Sequence, residues 1–271
     1  MFFAQEAQSK IFCYSNADLR KGEEASEIFR FIDFWKQQSG RQPPHLVFDS
    51  KLTTHKNLSK LNDRDILFVT LRRRTPNVVK ELAEVAPSAW RSIELKNVKR
   101  KYRNPQVIDR ETQIRDYQGP IRQLFVKNLG HEQPTVLITN DKKTSCSELI
   151  SRYALRMLIE NAIASAVAFF HTTALSSSVA IRIDFDVLLT LVGQAAYRLL
   201  AQKLRGYEYS GADVVFRKFI DTPAKIVIAT KDIEVQLNKR ANNPILAQSG
   251  LINHPFKLPW LQNKTVRITL R

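Results

Sequence analysis

Two acidic side chains stand among apolar neighbours. Asp49 closes the stretch His45-Leu-Val-Phe48, and Glu160 is the only ionisable residue in Met157–Phe170, MLIENAIASAVAFF. A carboxylate in such a setting loses its hydration and must be paired, protonated or bound to a metal. Two acids together can hold a hard divalent cation, which takes oxygen ligands and keeps several waters, over a phosphate. A pair of such cations supports in-line phosphoryl displacement by activating the attacking water and stabilising the leaving oxygen. Each acid also has a plainer use. Asp49 followed by Ser50 suits an Asx turn or helix cap, and Arg156 precedes Glu160 by four residues, the spacing of a helix-stabilising ion pair. Tyr153, Arg156 and Glu160 follow i, i+3, i+7 and so share one face of a helix.

The elements that must carry these residues can be read from periodicity. Two short strands are expected at Phe2–Gln5 and Ile11–Tyr14. A helix follows over about Gly22 to Gln38, with Ile28, Phe31, Ile32 and Trp35 on one apolar face. The strand ending at Asp49 comes next, and then Asp65–Leu71, DILFVTL, a continuous apolar strand suited to a sheet covered on both faces. From about residue 90 to 140 the segments RSIEL, QVIDRETQI, RQLFVKN and PTVLITN read as mainly antiparallel strands. Ser145 and Glu148 have capping-box spacing and open a helix expected to run to about Phe170. A second apolar helix is expected over Asp186–Leu204, then strands at Ile233–Leu237 and Thr265–Leu270. No internal repeat stands out.

The 271 residues are 44% hydrophobic and 25% charged, enough for one large domain with an insertion or for two smaller ones. Lys and Arg number 42 against 26 Asp and Glu, a formal charge of +16. Such an excess favours a polyanion, nucleic acid first, because each basic side chain set on a phosphate releases condensed counterions. Arg72, Arg73 and Arg74, and the run Lys96 to Arg103 with Lys99, Arg100 and Lys101, are candidate phosphate contacts or solvated charged loops. No apolar run approaches the ~18 residues of a spanning helix. The start, MFFAQEAQSK, lacks the pattern of a signal peptide. Two cysteines without a CxxC, and five histidines without metal-ligand spacing, argue against a disulfide framework or a zinc site and fit a reducing cytoplasm.

Taken together, FDSKLTTHKNLSKLNDRDILFVTLRRR, TND and YALRMLIEN resemble the DDE transposases of bacterial insertion sequences. The resemblance covers about Phe2 to Leu246. It implies an α/β protein with a ribonuclease H-like catalytic core and a β-rich insertion before the last catalytic helix. Residues 1–88 and 141–210 would form the core, 89–140 the insertion and 211–271 a strand-containing tail. The resemblance makes Asp49 and Glu160 catalytic metal ligands, for Mg²⁺ or Mn²⁺ in its place, with Tyr153 and Arg156 as the supporting motif. The implied function is metal-dependent DNA cleavage and strand transfer by a cytoplasmic, nucleoid-associated bacterial protein. Its expected partners are double-stranded DNA, as transposon ends and target, and a second copy in a homodimer, with no membrane.

Two departures bear on activity. The motif's lysine position is Val167, and no acid before Asp49 closes a long apolar strand as the family's first catalytic aspartate does. If FFAQ and IFCY are the second and third strands of the core, the first strand would precede Met1. The chain alone would then be an inactive, truncated transposase that binds DNA only non-specifically. Asp141, before a helix, is either a turn residue or a substitute ligand. A metal-dependent nuclease unrelated to transposition is a further reading, disfavoured by the YALRMLIE context.

Overall fold

The computed structural model describes every residue except 53, 97–101, 130–133, 175–176 and 253. In chain order the elements are β1 (Phe2–Gln5), β2 (Phe12–Asn16), α1 (Glu24–Ser39), β3 (His45–Phe48), α2 (His55–Asp63), β4 (Leu67–Leu71) and α3 (Pro76–Ala83). Next come β5 (Arg91–Ser92), β6 (Gln106–Thr112), β7 (Ile121–Lys127), β8 (Thr135–Thr139), α4 (Cys146–Ala154), α5 (Met157–Phe170) and α6 (Ala180–Lys203). The remainder is α7 (Ala212–Val215), β9 (Ala224–Ile228), β10 (Asp232–Leu237), α8 (Asn243–Gln248), β11 (Phe256–Leu258) and β12 (Lys264–Leu270). The chain is mixed α/β, and both of its larger sheets are mixed in direction. It divides into two compact units, Met1–Ala4 with Asp18–Glu160, and Gln5–Ala17 with Asn161–Arg271.

The first unit is built on a six-stranded sheet of order β3-β4-β8-β7-β6-β5. Only β3 and β4 are parallel; β4–β8, β8–β7, β7–β6 and β6–β5 are antiparallel. Alternate residues point to opposite faces. Val107, Leu124, Val126 and Leu137 meet Leu149 and Ile150 of α4, and Tyr153 packs against that cluster. Ile108, Phe125 and Val136 on the other face meet Val78 of α3. The strands β5 to β8, in the stretch expected as an insertion, extend the same sheet as β4, because β8 pairs with β4 at Val69–Thr139. The Asn140 side chain prolongs that seam, accepting from Phe68 N–H at 2.9 Å and donating to Ile66 O at 3.0 Å. Neither β1 nor β2 belongs to this sheet, although FFAQ and IFCY were expected as the second and third strands of the core. α1 forms with Ile28, Phe31 and Ile32 buried, as its periodicity predicts.

The expected single helix over 144–170 is two. At Leu155–Arg156 the bonds tighten to i→i−3, with Arg156 N–H donating to Tyr153 O at 3.0 Å and Leu158 N–H to Leu155 O at 2.9 Å. The whole stretch Cys146–Phe170 is nonetheless long and apolar enough to cross a membrane by length and composition, which the sequence reading had not found. Its first half packs into the core of the first unit through Leu149 and Ile150. Only half of the capping box forms. Ser145 Oγ accepts from Glu148 N–H at 3.3 Å, while the Glu148 carboxylate takes Arg152 at 2.6 Å. Ser145→Ala is expected to lower stability by about 1 kcal/mol in chemical denaturation; an unchanged midpoint would show that the cap contributes nothing.

In the second unit a four-stranded sheet has the order β11-β12-β10-β9, with β10 and β12 parallel. Its core joins Ala201 and Leu204 at the end of α6 to Val215, Phe219, Leu237 and Leu246. The expected strands at 233–237 and 265–270 are both present.

A candidate metal centre at Asp49 and Glu160

Asp49 follows β3, and its two carboxylate oxygens have different partners. Oδ1 accepts from Ser50 Oγ at 3.1 Å and from Lys51 N–H at 3.2 Å, forming the Asx turn that Asp-Ser suggested. Oδ2 lies 3.7 Å from Arg156 Nη1. The same nitrogen donates to Glu160 Oε1 at 2.7 Å. Two acids 111 positions apart in the chain thus meet on one guanidinium. The carboxylates of Asp49 and Glu160 are 45% and 50% exposed against 19% for the Arg156 side chain, so the acids remain open to solvent while the cation is held from behind.

α4 and the break after it set this geometry. Arg152 of α4 reaches His45 of β3 at 3.3 Å and Asp141 at 3.8 Å, fastening the helix beside the strand that delivers Asp49. The Tyr153 ring lies under the Arg156 guanidinium at 5.4 Å. The Tyr153 hydroxyl and Arg156 Nε are both buried without a hydrogen bond of good geometry among the described residues. Burial raises the Tyr153 pKa, helped by Asp49 and Glu160 and opposed by Arg156. Burial alone would lower that of Arg156, but Tyr153, Glu160 and Asp49 together carry it above the ordinary arginine value. The guanidinium is therefore a fixed positive charge placed where the acids need one.

Asp141 has a structural environment instead. Its residue is 4% exposed. Oδ1 accepts from the N–H groups of Lys143 and Thr144 at 3.0 and 2.9 Å, and Oδ2 faces Arg152. Burial works against its ionisation, yet Thr144, the loop N–H groups and Arg152 hold its pKa below the usual carboxylate range. These contacts are those of the turn residue, the plainer of its two readings.

The basic candidates part company. Arg72 is half-buried, paired with Glu81 at 3.6 Å and hydrogen-bonded to Gln123 Oε1. Burial pulls its pKa below the ordinary arginine value. Arg73 and Arg74 are exposed. Lys96 and Arg103 are exposed as well, whereas Lys99, Arg100 and Lys101 lie outside the described residues. Val167, at the motif's lysine position, is 39% exposed.

One constellation escaped the sequence reading. Asp109 of β6 accepts from Arg122 Nε and Nη2 at 2.9 Å each and from Arg91 Nη2 at 3.1 Å. It also accepts from Cys146 Sγ at 3.1 Å. Arg122 donates onward to the carbonyls of Asp141 and Thr144. The network locks β6 and β7 to the loop before α4. The period-two pattern contains the signal, since it puts Asp109 on the same apolar face as Val107. No protein-family model matches the chain, and no curated protein matches it.

Proposed function

We propose that the chain is a DDE-type DNA transposase of a bacterial insertion sequence. In this reading the first unit is its ribonuclease H-like catalytic core, and Asp49 and Glu160 are ligands for Mg²⁺, or Mn²⁺ in its place. The observation that carries the reading is the convergence of both carboxylates on Arg156 Nη1. Two half-exposed carboxylates aimed at one point offer the hard oxygens a divalent cation takes, with Arg156 holding that point until a cation displaces it. That cation supplies charge neutralisation at a transferring phosphoryl group. The protein's own part is positional: the Asx turn aims Asp49, the break after α4 aims Glu160, and Arg156 offers a bidentate fork to a phosphate once it is released from the acids. Duplex DNA is the partner that a charge of +16 favours, and the cytoplasm beside the nucleoid is where such a protein would act.

A second reading is a relative that binds DNA without cutting it. It draws support from β3, which has a neighbour on one side only in its sheet, so the strand that delivers Asp49 lies at an edge among the described residues. One experiment separates the two. Binding to duplexes bearing the element's ends is measured across salt concentrations, and Mn²⁺ is then added to the same complexes. Affinity is expected to fall steeply with salt, by about tenfold or more over a few-fold rise, as released counterions require. Cleavage that disappears in Asp49→Asn and Glu160→Gln supports the transposase. Salt-sensitive binding with no cleavage supports the second reading, and a flat salt dependence overturns both.

A further inference from the structure

α6 presents two different sides. One packs on α5: a Cβ at Gly193 would meet the Phe170 ring at 3.1 Å, Gln194 Nε2 donates to Ala162 O at 2.7 Å, and the Tyr197 ring lies 5.5 Å from Phe169. The other side carries Ile181, Phe185, Leu188, Leu189, Val192 and Leu199, every one at least 50% exposed. At about 100° per residue these six, with the alanines at 195 and 196, fill an arc of about 120° that holds no polar residue between 181 and 199. The preceding helical stretch is left bare as well: of the most apolar window in Cys146–Phe170, 6% is buried. A core helix of that hydropathy would be covered by its own protein.

The charges of α6 stand around this arc and not in it. Arg182 lies at its margin near the N-terminal end, Lys203 is in line with it one turn beyond Leu199, and Arg205 comes just past the helix; all three are exposed. The acids are turned to other tasks or sides. Asp184 accepts from Ala17 N–H at 3.2 Å, Asp186 falls outside the arc, and Glu208, the acid nearest Arg205 in sequence, accepts from Gly206 N–H at 2.9 Å. Arg198 is turned to Ser9 O and Glu208 O, so it does not count with the three.

We propose that this stripe docks α6 flat on an anionic lipid bilayer, with its apolar side chains among the acyl chains and Arg182, Lys203 and Arg205 at the lipid phosphates. Basic residues at both ends, with no acid in the arc between them, complement such a surface, and long basic side chains reach headgroups while their stems stay in apolar surroundings. Area argues against a protein in that place. From Ile181 to Leu199 the stripe is about 27 Å long and about 10 Å wide, roughly 300 Å² against the ~800 Å² per partner of a stable interface. A bilayer sets no such minimum, because each side chain inserts on its own. A protein partner also needs about one hydrogen bond per 100–200 Å² to fix its orientation, and these side chains offer no donor or acceptor. DNA finds no cation within the arc to set on its phosphates. The docking is independent of the transposase reading and runs against its expectation of no membrane.

Flotation of the full chain with vesicles tests the docking, with phosphatidylglycerol and phosphatidylcholine in equal parts against phosphatidylcholine alone. The wild type should float with the anionic vesicles and bind the neutral ones at least ~tenfold more weakly. A charge of +16 would by itself adhere to anionic lipid, so the deciding arm leaves charge untouched. Leu188→Ser with Val192→Ser, both at exposed positions, should lower vesicle affinity at least ~tenfold while the far-ultraviolet spectrum and DNA affinity are unchanged. Val192→Trp gives a second readout that needs no loss of binding. Its added emission should shift to the blue on the vesicles and be quenched by lipids brominated along the acyl chain. Equal flotation of the wild type and the double variant would show adhesion by net charge alone and overturn the proposal. Absence of wild-type flotation, or added emission blind to brominated lipid, would overturn it too. Self-association that the double variant loses, without vesicle binding, would assign the stripe to a second copy and overturn it equally.

Discussion

Glu160→Gln is expected to weaken Mg²⁺ or Mn²⁺ binding by about a hundredfold and to leave bulk DNA affinity nearly unchanged. The reason is the division of labour around Arg156. Glu160 and Asp49 are the two acids on its Nη1, and removal of even an outer-shell partner commonly costs 10–100-fold in metal affinity. In the proposed reading DNA affinity would rest instead on basic side chains spread over the surface. Fold stability should change little, since an i, i+4 pair with a half-exposed acid is worth about 0.3–0.5 kcal/mol. Arg156→Gln provides the opposite arm. If the guanidinium stands where a cation would sit, its loss removes a competitor and metal should bind more tightly. Calorimetric titration of the wild type, E160Q and R156Q decides the matter. Three identical isotherms would end the metal-centre reading and leave Arg156–Glu160 as an ordinary helix pair.

Arg122→Ala should be the most destabilising single substitution in the first unit outside its apolar core, by about 3 kcal/mol. The Arg122 side chain is 11% exposed and that of Asp109 20%. Truncation strips Asp109 of its bidentate partner and leaves the carbonyls of Asp141 and Thr144 without their donor. Arg91→Ala removes a partner that is 60% exposed, and it should cost less than about 1 kcal/mol. Acid should mimic the first change. Burial opposes ionisation of Asp109, but the hydrogen bonds from Arg122 and Cys146 overcome it and lower its pKa, and Asp141 is lowered too. A carboxyl lowered on folding contributes stability that is full above its unfolded pKa and lost as pH falls through the folded one. Wild-type stability should therefore drop below about pH 4, and Arg122→Ala should flatten that dependence. A denaturation midpoint indifferent to both changes would show that the network holds nothing.

Legibility in the sequence followed the range of the interaction. α1, the strand before Asp49 and the Ser145 cap depend on near neighbours, and their residues announced them. So did the Asx turn, which turned out to coexist with the proposed site because the two Asp49 oxygens divide the tasks. The break at Leu155–Arg156 was not legible. The i→i−3 and i→i−4 bonds place nearly the same demands on sequence, and no Gly or Pro marks the spot. Arg72 was grouped with Arg73 and Arg74 because three identical residues give no sign of which one β4 turns inward. The join of β8 to β4 also went unread, since pairing partners are set by register across the sheet. α6 was recognised as apolar, but composition does not tell which side of a helix its own chain will cover.

The division into two units has a consequence for how the molecule is made. Each unit takes one early and one late stretch of chain. Residues 5–17 are bonded within their unit to α6, Ala17 N–H to Asp184 and Ser9 O to Arg198, across 167 and 189 positions. During synthesis that early segment leaves the ribosome long before its companions exist. The second unit can therefore close only after translation has passed α6, and closure over such a span is slow. No single proteolytic cut can release either unit whole. A stalled nascent chain ending before Ala180 should show protection in the six-stranded sheet while residues 5–17 remain open to protease.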